Sequence, residues 1–206
     1  VMSLLNDRYD ICEEDFLSAE LSLVPAGKSR DIGFDASFVG AYGHDDRVCA
    51  YTTLTALLEM KETPKQTCVC ILADKEEIGS EGVSGMQSEW YDTFLDNLCK
   101  AANVDLRVCF EHSLCLSADV GAAYDPNFAE VYDKRNSALV NGGAILMKYT
   151  GAGGKSSSND AMPEVIAKIR KTFDEANVIW QMGELGKVDQ GGGGTVAKYM
   201  ASRNID

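Results

Sequence analysis

An acidic loop directly follows a strand-like apolar run, and this junction is the feature that most constrains how the chain can fold. Residues 67–73 (Thr-Cys-Val-Cys-Ile-Leu-Ala) have the length and the β-forming composition of a buried strand. Glu76 and Glu77 follow at once, and Gly79 and Gly82 then break any helix. Because open α/β sheets bind ligands at the carboxyl ends of their strands, we expect a ligand site here.

Two adjacent carboxylates in a pocket are unstable without a counter-charge. Each one disfavours the ionised form of the other, and burial adds to the cost. A bound cation removes this conflict, with one carboxylate binding the metal and the other handling a proton of a water molecule. The alternative is a solvated acidic turn that caps the strand, which is a common structure.

Strand-like and helix-like segments alternate along the rest of the chain. Residues 113–118, 144–149 and 178–181 resemble strands, and residues 16–24 alternate well enough for another. Helical patterns precede or follow them, at residues 48–60, 87–102, 161–175 and from about 195 onwards. This order predicts an α/β fold with three layers, in which helices flank a mostly parallel central sheet.

Two further strand or helix junctions carry acids. Asp45 and Asp46 precede the helix that contains Val48 and Leu58, and Asp119 follows the strand at 113–118. One of the two adjacent aspartates can cap that helix, which is the structural alternative. The second is not needed for a cap. A parallel sheet gathers such junctions on one edge, so we expect the acids to meet and to bind divalent metal.

Composition narrows the possible partners and the compartment. The net charge of −13 argues against nucleic acid and against an anionic membrane surface. The sequence contains no apolar run long enough to span a bilayer and no signal-peptide pattern. Seven cysteines without zinc-knuckle spacing indicate buried thiols in a reducing, cytoplasmic setting. The loop at 151–156 resembles a phosphate loop only loosely, because its first glycine is replaced by Thr150.

The two histidines are poorly placed for metal binding. His44 directly precedes the aspartate pair, and His112 lies before the strand at 113–118 instead of at its ligand-bearing end. We interpret both as supporting or structural residues. Since zinc sites normally include imidazole, the predicted carboxylate cluster lacks the ligands that would complete it.

Several motifs together resemble the aspartyl aminopeptidase / aminopeptidase I family of dinuclear zinc metallopeptidases. The resemblance extends over essentially the whole chain. It is carried, in order, by Ser18-Ala19-Glu20-Leu21, Val24-Pro25-Ala26, Tyr42-Gly43-His44-Asp45-Asp46-Arg47-Val48-Cys49-Ala50-Tyr51, Asp74-Lys75-Glu76-Glu77-Ile78-Gly79-Ser80, Ser117-Ala118-Asp119-Val120, Asp125-Pro126-Asn127 and Gly186-Lys187-Val188-Asp189-Gln190-Gly191-Gly192-Gly193-Gly194-Thr195.

The resemblance implies a metalloaminopeptidase that removes N-terminal amino acids from peptides. Asp45 would bridge two divalent metal ions, zinc by resemblance, with cobalt or manganese left open. Glu77 would bind one metal and Asp119 the other, while Glu76 would be the general base. The family also implies a homo-oligomer, a tetrahedral dodecamer. Whether acidic or neutral N-terminal residues are preferred stays open.

The sequence departs from the family pattern in two respects. The family has one histidine ligand upstream and another near its C-terminus, and neither is present. Position 122, where a supporting histidine is usual, is Ala122. We therefore expect residues 1–35 to be the end of an inserted β-rich oligomerisation domain, and residues 36–206 to be a C-terminally truncated catalytic domain. Because two histidine ligands are missing, we also expect this chain alone to bind metal much more weakly or not at all, and to be inactive or nearly so.

Two other functions are compatible with the same residues. One is a non-catalytic, carboxylate-lined α/β module that serves assembly or cation binding. The other is a dinuclear amidohydrolase that acts on acylated amino acids. Metal content would separate the first from an enzyme, and substrate profiling would separate the second from an aminopeptidase.

Overall fold

The computed structural model describes residues 1–149, 151, 159–187, 189–190 and 192–206. Its helices and strands are, in chain order, α1 (Met2–Tyr9), β1 (Arg30–Ile32), β2 (Phe38–Gly40), α2 (His44–Leu58), α3 (Trp90–Ala102), α4 (Leu106–Glu111), β3 (Ala144–Leu146), α5 (Pro163–Glu175), β4 (Trp180–Met182) and α6 (Ala197–Ala201). Single 3₁₀ turns occur at Glu13–Leu17, Glu76–Ile78 and Pro126–Val131. In the described ranges, no helix has both the length and the apolar character needed to cross a membrane.

The chain divides into two compact units, Val1–His44 and Asp45–Asp206. In the first unit, β1 and β2 form an antiparallel pair in which Asp31 lies opposite Val39. None of its residues is buried, and Phe34 at the turn is fully exposed. The expected strand at 16–24 is absent, because Glu13–Leu17 forms a 3₁₀ turn and residues 18–24 belong to no strand.

The second unit contains a parallel strand pair joined by a helix, as the alternating sequence pattern predicts. Strands β3 and β4 pair in parallel with Ile145 opposite Gln181, and α5 connects them. This is the βαβ arrangement, in which a crossover helix covers a face of the sheet. A Cβ atom at Gly143 would lie 2.1 Å from the Ile179 carbonyl oxygen, so only glycine permits this close approach.

A small hydrophobic core holds α3, α4 and the C-terminal residues together. The side chains buried in this cluster are Met86, Tyr91, Leu95, Phe110, Met200 and Ile205. The rings of Tyr91 and Phe110 stack with centroids 6.3 Å apart, and Ile71, Ala73 and Cys115 pack against the cluster. Burial of these aromatic and aliphatic groups is the main favourable term that fixes the second unit.

Two predicted strands are not formed in the described part of the chain. Residues 67–73 belong to no strand, and residues 113–118 are paired only where Ser113 and Cys115 exchange backbone hydrogen bonds with Asp206. A strand exists only when a neighbour supplies hydrogen bonds, which sequence pattern alone does not guarantee. The loop at 151–156 lies outside the described residues except for Gly151, as do Val188 and Gly191 of the late glycine-rich segment.

Candidate metal centre

The start of α2 holds two adjacent aspartates in non-helical backbone. Asp45 has φ −83° and ψ 111°, and Asp46 has φ −121° and ψ 37°, so regular helical backbone begins after them. The peptide bond between the two residues is cis. The helix that follows fixes the position of both carboxylates at its N-terminal end, where the helix dipole favours negative charge.

Glu76 and Glu77 lie on a 3₁₀ turn, Glu76–Ile78, that directly follows the apolar run at 67–73. The turn is bounded by Lys75 and Gly79, which both have left-handed backbone with φ of 63° and 80°. The Gly79 amide donates to the Glu76 carbonyl oxygen over 2.9 Å, which closes the turn. The sequence expectation of a glutamate pair on a loop after the apolar run therefore agrees with the observed position.

Hydrogen bonds from distant residues hold this turn in place. The Tyr199 hydroxyl of α6 and the Gln87 side-chain amide both donate to the Gly79 carbonyl oxygen, each over 2.8 Å. The buried Ser80 donates its amide to the Lys75 carbonyl oxygen over 2.7 Å. The two glutamates consequently sit on a backbone segment that is fixed from both sides.

The third acidic position, Asp119, follows the segment at 113–118. Its Oδ1 atom accepts a hydrogen bond from the amide of Val120 over 2.7 Å. Three carboxylate oxygens lie within 4.8 Å of one another, one each from Asp45, Asp46 and Asp119. This is close enough for the three carboxylates to contact a single cation.

One cavity of about 390 Å³ is lined by every acidic residue that the sequence analysis gave as a candidate metal ligand or base. Its lining includes Asp45, Asp46, Glu76, Glu77 and Asp119. The two glutamates line the same cavity, although they are not in the group of oxygens within 4.8 Å. The structure thus brings together the predicted base and the predicted carboxylate ligands, and it adds Asp46.

Negative charge predominates in the cavity, which is lined by five carboxylates and by one guanidinium group, that of Arg47. Burial, and then the carboxylates of Asp119, Glu77, Asp45 and Asp46, raise the pKa of Glu76 above its ordinary value. Burial also raises the pKa of Asp119, and the neighbouring carboxylates reinforce this against the hydrogen bond from Val120. Both shifts have the sign expected when like charges share a partly desolvated site.

Cys49 on α2 faces the same negative field. Burial raises the pKa of its thiol to about 12, with further contributions from its hydrogen bond to Asp46 and from the charges of Asp46, Asp119 and Asp45. The thiol is therefore protonated at neutral pH in the field of these carboxylates. Cys49 lines the cavity beside the carboxylates of Asp46 and Asp119.

Asp46 shows most directly that the cavity suits a cation. Its Oδ1 atom is buried and has no hydrogen-bond partner in the described structure. A buried carboxylate oxygen without a donor is costly, and a divalent cation would satisfy it. The sequence assigned one of the two aspartates to a helix cap, but this oxygen of Asp46 caps nothing. The direction of its side chain depends on backbone dihedrals that residue types do not reveal.

The two histidines do not join the cluster. His112 is the residue after the last turn of α4 and lines a different cavity, together with Cys109 and Glu111. His44 is the last residue of the first unit. In the described structure, the cavity lining therefore contains carboxylates and no imidazole.

An α/β fold with clustered carboxylates beside a strand-like segment is typical of metal-dependent hydrolases. Comparison with known proteins identifies the family. All of residues 1–206 match the family described as aminopeptidase I zinc metalloprotease (M18). The chain belongs to this M18 family.

A probable M18 family aminopeptidase 1 of Clostridium acetobutylicum is 54% identical over 205 residues, which cover 98% of this chain and 44% of the relative. The crystal structure of aminopeptidase I from that organism superposes with a TM-score of 0.90 at 52% identity, covering 100% of this chain and 44% of the other. A yeast mApe1 dodecamer gives a TM-score of 0.67 at 25% identity, and the match covers 86% of this chain and 40% of the yeast chain.

These comparisons confirm the predicted family and the α/β fold class. The chain spans about half the length of the relatives it matches, with 44% coverage of the Clostridium protein and 46% of a Thermotoga maritima relative. The family is described as zinc metalloproteases, which agrees with the predicted cofactor. The assignment of roles to individual residues remains a prediction.

Proposed function

We propose that the chain forms the carboxylate-bearing part of a zinc aminopeptidase active site, which releases N-terminal amino acids from peptides. One observation carries the proposal: Asp45, Glu76, Glu77 and Asp119 line a single cavity in a chain of the M18 family. The amide of the peptide bond is hydrolysed by water. A free N-terminal amine held near the cavity would restrict the cleavage to the first residue.

Asp45, Glu77 and Asp119 would hold two divalent metal ions, with Asp45 shared between them. The unpartnered Oδ1 atom of Asp46 makes this residue an additional candidate for contact with a cation. Zinc, when bound, supplies a Lewis acid that polarises the scissile carbonyl and lowers the pKa of water.

Glu76 would act as the general base of the reaction. Its carboxylate would accept a proton from the attacking water and deliver it to the departing amine. The hydrogen bonds from Tyr199 and Gln87 to Gly79 would keep the Glu76 carboxylate oriented during this transfer.

The absence of imidazole from the described lining leads us to expect little activity from this chain by itself. Hydrolysis of an aminoacyl-nitroanilide, measured with added zinc, tests this against the full-length Clostridium relative. We expect zinc-dependent release of the dye from the relative and almost none from this chain. A comparable zinc-dependent rate from this chain would show that the carboxylates suffice. No hydrolysis by the relative would argue against the aminopeptidase assignment.

We also propose an assembly and a location for the protein. A homo-oligomer, specifically a dodecamer, is supported by the yeast mApe1 dodecamer among the structural neighbours. A cytoplasmic location is supported by the seven cysteines, all of which are free. We retain residues 1–35 as the end of an inserted oligomerisation domain and 36–206 as catalytic. Size measurement in solution tests the oligomer.

The family match favours an aminopeptidase over the two alternatives from the sequence, a non-catalytic module and an amidohydrolase of acylated amino acids. Substrate profiling discriminates among them. Cleavage of a substrate with a free N-terminal amine, but not of its N-acetylated form, is the result expected for an aminopeptidase.

A further inference from the structure

Two cysteines occupy the facing sides of α3 and α4, which contact each other. Cys99 lies one turn after Leu95 on the buried face of α3, and it is 5% exposed. In α4, the spacing i, i+3 and i+4 places Leu106, Cys109 and Phe110 on one side of the helix. Because Leu95 and Phe110 share one hydrophobic core, and Leu106 packs against it, these are the sides that meet.

The two thiols are in direct contact. The side chains of Cys99 and Cys109 are hydrogen-bonded to each other. Residues 103–105 join the helices in a tight corner, in which the Val104 amide donates to the Cys99 carbonyl oxygen over 2.9 Å. The Asp105 side chain accepts hydrogen bonds from the first amides of α4 and fixes the start of that helix. Such a contact on ordered backbone is the first geometric requirement for a disulfide bond.

Cys109 differs from Cys99 in its access to solvent. Its side chain is partly exposed and lines a cavity of about 630 Å³, together with Glu111, His112 and Lys168. A small polar oxidant can therefore reach the sulfur of Cys109, whereas Cys99 is buried. An accessible thiol beside a second thiol that can react with its oxidised form is a feature of redox-sensing sites.

The surroundings of Cys99 make it the second thiol of the pair to react. Burial, and then the contact with Cys109, raise the pKa of the Cys99 thiol above its ordinary value. Since the thiolate is the form that oxidants attack, a protonated and buried thiol reacts slowly with them. The first oxidation is thus directed to Cys109, and Cys99 is the group beside it.

We propose that Cys99 and Cys109 form a redox-sensitive dithiol, which hydrogen peroxide converts into a disulfide bond between α3 and α4. The O–O bond of the peroxide breaks, one hydroxyl group passes to the Cys109 sulfur, and the other leaves as water with the thiol proton. The Cys99 sulfur then attacks the resulting sulfenic acid, whose hydroxyl group departs as a second water with the Cys99 proton. Each thiol loses one electron to the peroxide, and a dithiol reductant reverses the change.

The disulfide would act on the element that leads to the acidic cavity. It would close a loop of residues 99–109 and fasten α4 to α3. The Ser113 hydroxyl donates to the Cys109 carbonyl oxygen over 2.7 Å, and Ser113 begins the segment that ends at Asp119. Disulfides of cytoplasmic proteins are usually transient and redox-sensing, so such a bond fits the proposed location. The dithiol requires neither zinc nor peptide hydrolysis.

Peptide mapping of the peroxide-treated chain tests the proposal. Remaining thiols are blocked with iodoacetamide, and the unreduced chain is digested with trypsin and a glutamate-specific protease, which together place Cys99, Cys109 and Cys115 on separate peptides. We expect a cross-linked peptide that contains Cys99 and Cys109, accounts for most of the oxidised Cys109 and disappears on treatment with dithiothreitol. Oxidation of other thiols while Cys99 and Cys109 both remain open to alkylation would overturn the proposal. So would a cross-link made mainly to Cys115.

Serine variants provide the matched controls. Cys109→Ser should abolish the cross-link and leave Cys99 unoxidised, and Cys99→Ser should leave Cys109 as a sulfenic acid that dimedone labels. Cys12→Ser removes an exposed thiol of the first unit and should keep the cross-link at the yield of the wild type. Oxidation of Cys99 in Cys109→Ser at the rate of the wild type would contradict the order of the two steps. The wild-type map decides the proposal even if a variant fails to fold.

Discussion

Replacing Asp119 with Asn should change the stability of the chain in opposite directions with and without zinc. Oxygens of Asp119, Asp45 and Asp46 lie within 4.8 Å of one another. At that distance two unit charges repel by about 0.9 kcal/mol in a water-like dielectric and by about 3.5 kcal/mol at an effective dielectric constant of about 20. Asp119 and Asp45 are exposed, so the lower value applies.

Asp119→Asn removes the repulsion with both other aspartates and keeps an Oδ1 acceptor for the Val120 amide. We therefore expect the variant to be more stable than the wild type by about 1–2 kcal/mol at low salt, after treatment with a chelator. Zinc at about 100 times its dissociation constant should stabilise the wild type by about 2.7 kcal/mol. The variant has lost a ligand and should gain little.

Urea denaturation followed by circular dichroism measures both differences. Asp96→Asn is the matched control, because Asp96 pairs with Lys100 on α3 and removal of its charge should cost about 0.3–0.5 kcal/mol, equally with and without zinc. The reasoning is refuted if Asp119→Asn destabilises the chelator-treated chain, or if zinc stabilises the variant as much as the wild type.

The remaining predictions concern pH, the core and the glutamate turn. The raised pKa of Glu76 contributes stability that is present below about pH 4 and lost as pH rises through the folded-state pKa, so Glu76→Gln should flatten this fall in urea titrations of the chelator-treated chain. If stability falls with pH as steeply in Glu76→Gln as in the wild type, the raised pKa of Glu76 is contradicted. Phe110→Ala should cost about 3–5 kcal/mol in urea denaturation, whereas Phe128→Ala, at a ring that is 58% exposed, should cost about 0.5 kcal/mol or less. Similar losses of stability in Phe110→Ala and Phe128→Ala would contradict the assignment of Phe110 to the core. Tyr199→Phe removes the hydrogen bond to Gly79, so it should lower the free energy of unfolding by about 1 kcal/mol and weaken the zinc binding measured by calorimetry. An unchanged free energy of unfolding and an unchanged zinc affinity would contradict this expectation.

Local patterns predicted helices α2, α3, α5 and α6 and the position of the acids. The periodicity at 161–175 corresponds to α5 (Pro163–Glu175), and the pattern at 87–102 corresponds to α3 (Trp90–Ala102). The gathering of Asp45, Glu76 and Asp119 followed from the rule that strand ends meet at one sheet edge, and all three line one cavity. The helices depend on short stretches of sequence, which carry enough information for them, whereas the meeting of the acids was expected from the fold class.

Features that depend on distant partners were not predicted. Residues 67–73 have a strand composition but belong to no strand in the described structure, because pairing requires a neighbour from elsewhere in the fold. The contact between Tyr199 and Gly79 joins residues far apart in the chain. Helix α4 was missed, although Asp105 marks its start by accepting hydrogen bonds from the amides of Arg107 and Val108.

The most direct test of the account is a crystal structure of the zinc-soaked chain with anomalous data collected at the zinc absorption edge. We expect an anomalous peak within the cavity lined by Asp45, Asp46, Glu76, Glu77 and Asp119. The peak should lie between the carboxylates of Asp45 and Asp119 and should disappear in Asp119→Asn. Zinc bound only elsewhere on the chain, or an undiminished peak in the variant, would contradict the claim that these carboxylates form the metal centre.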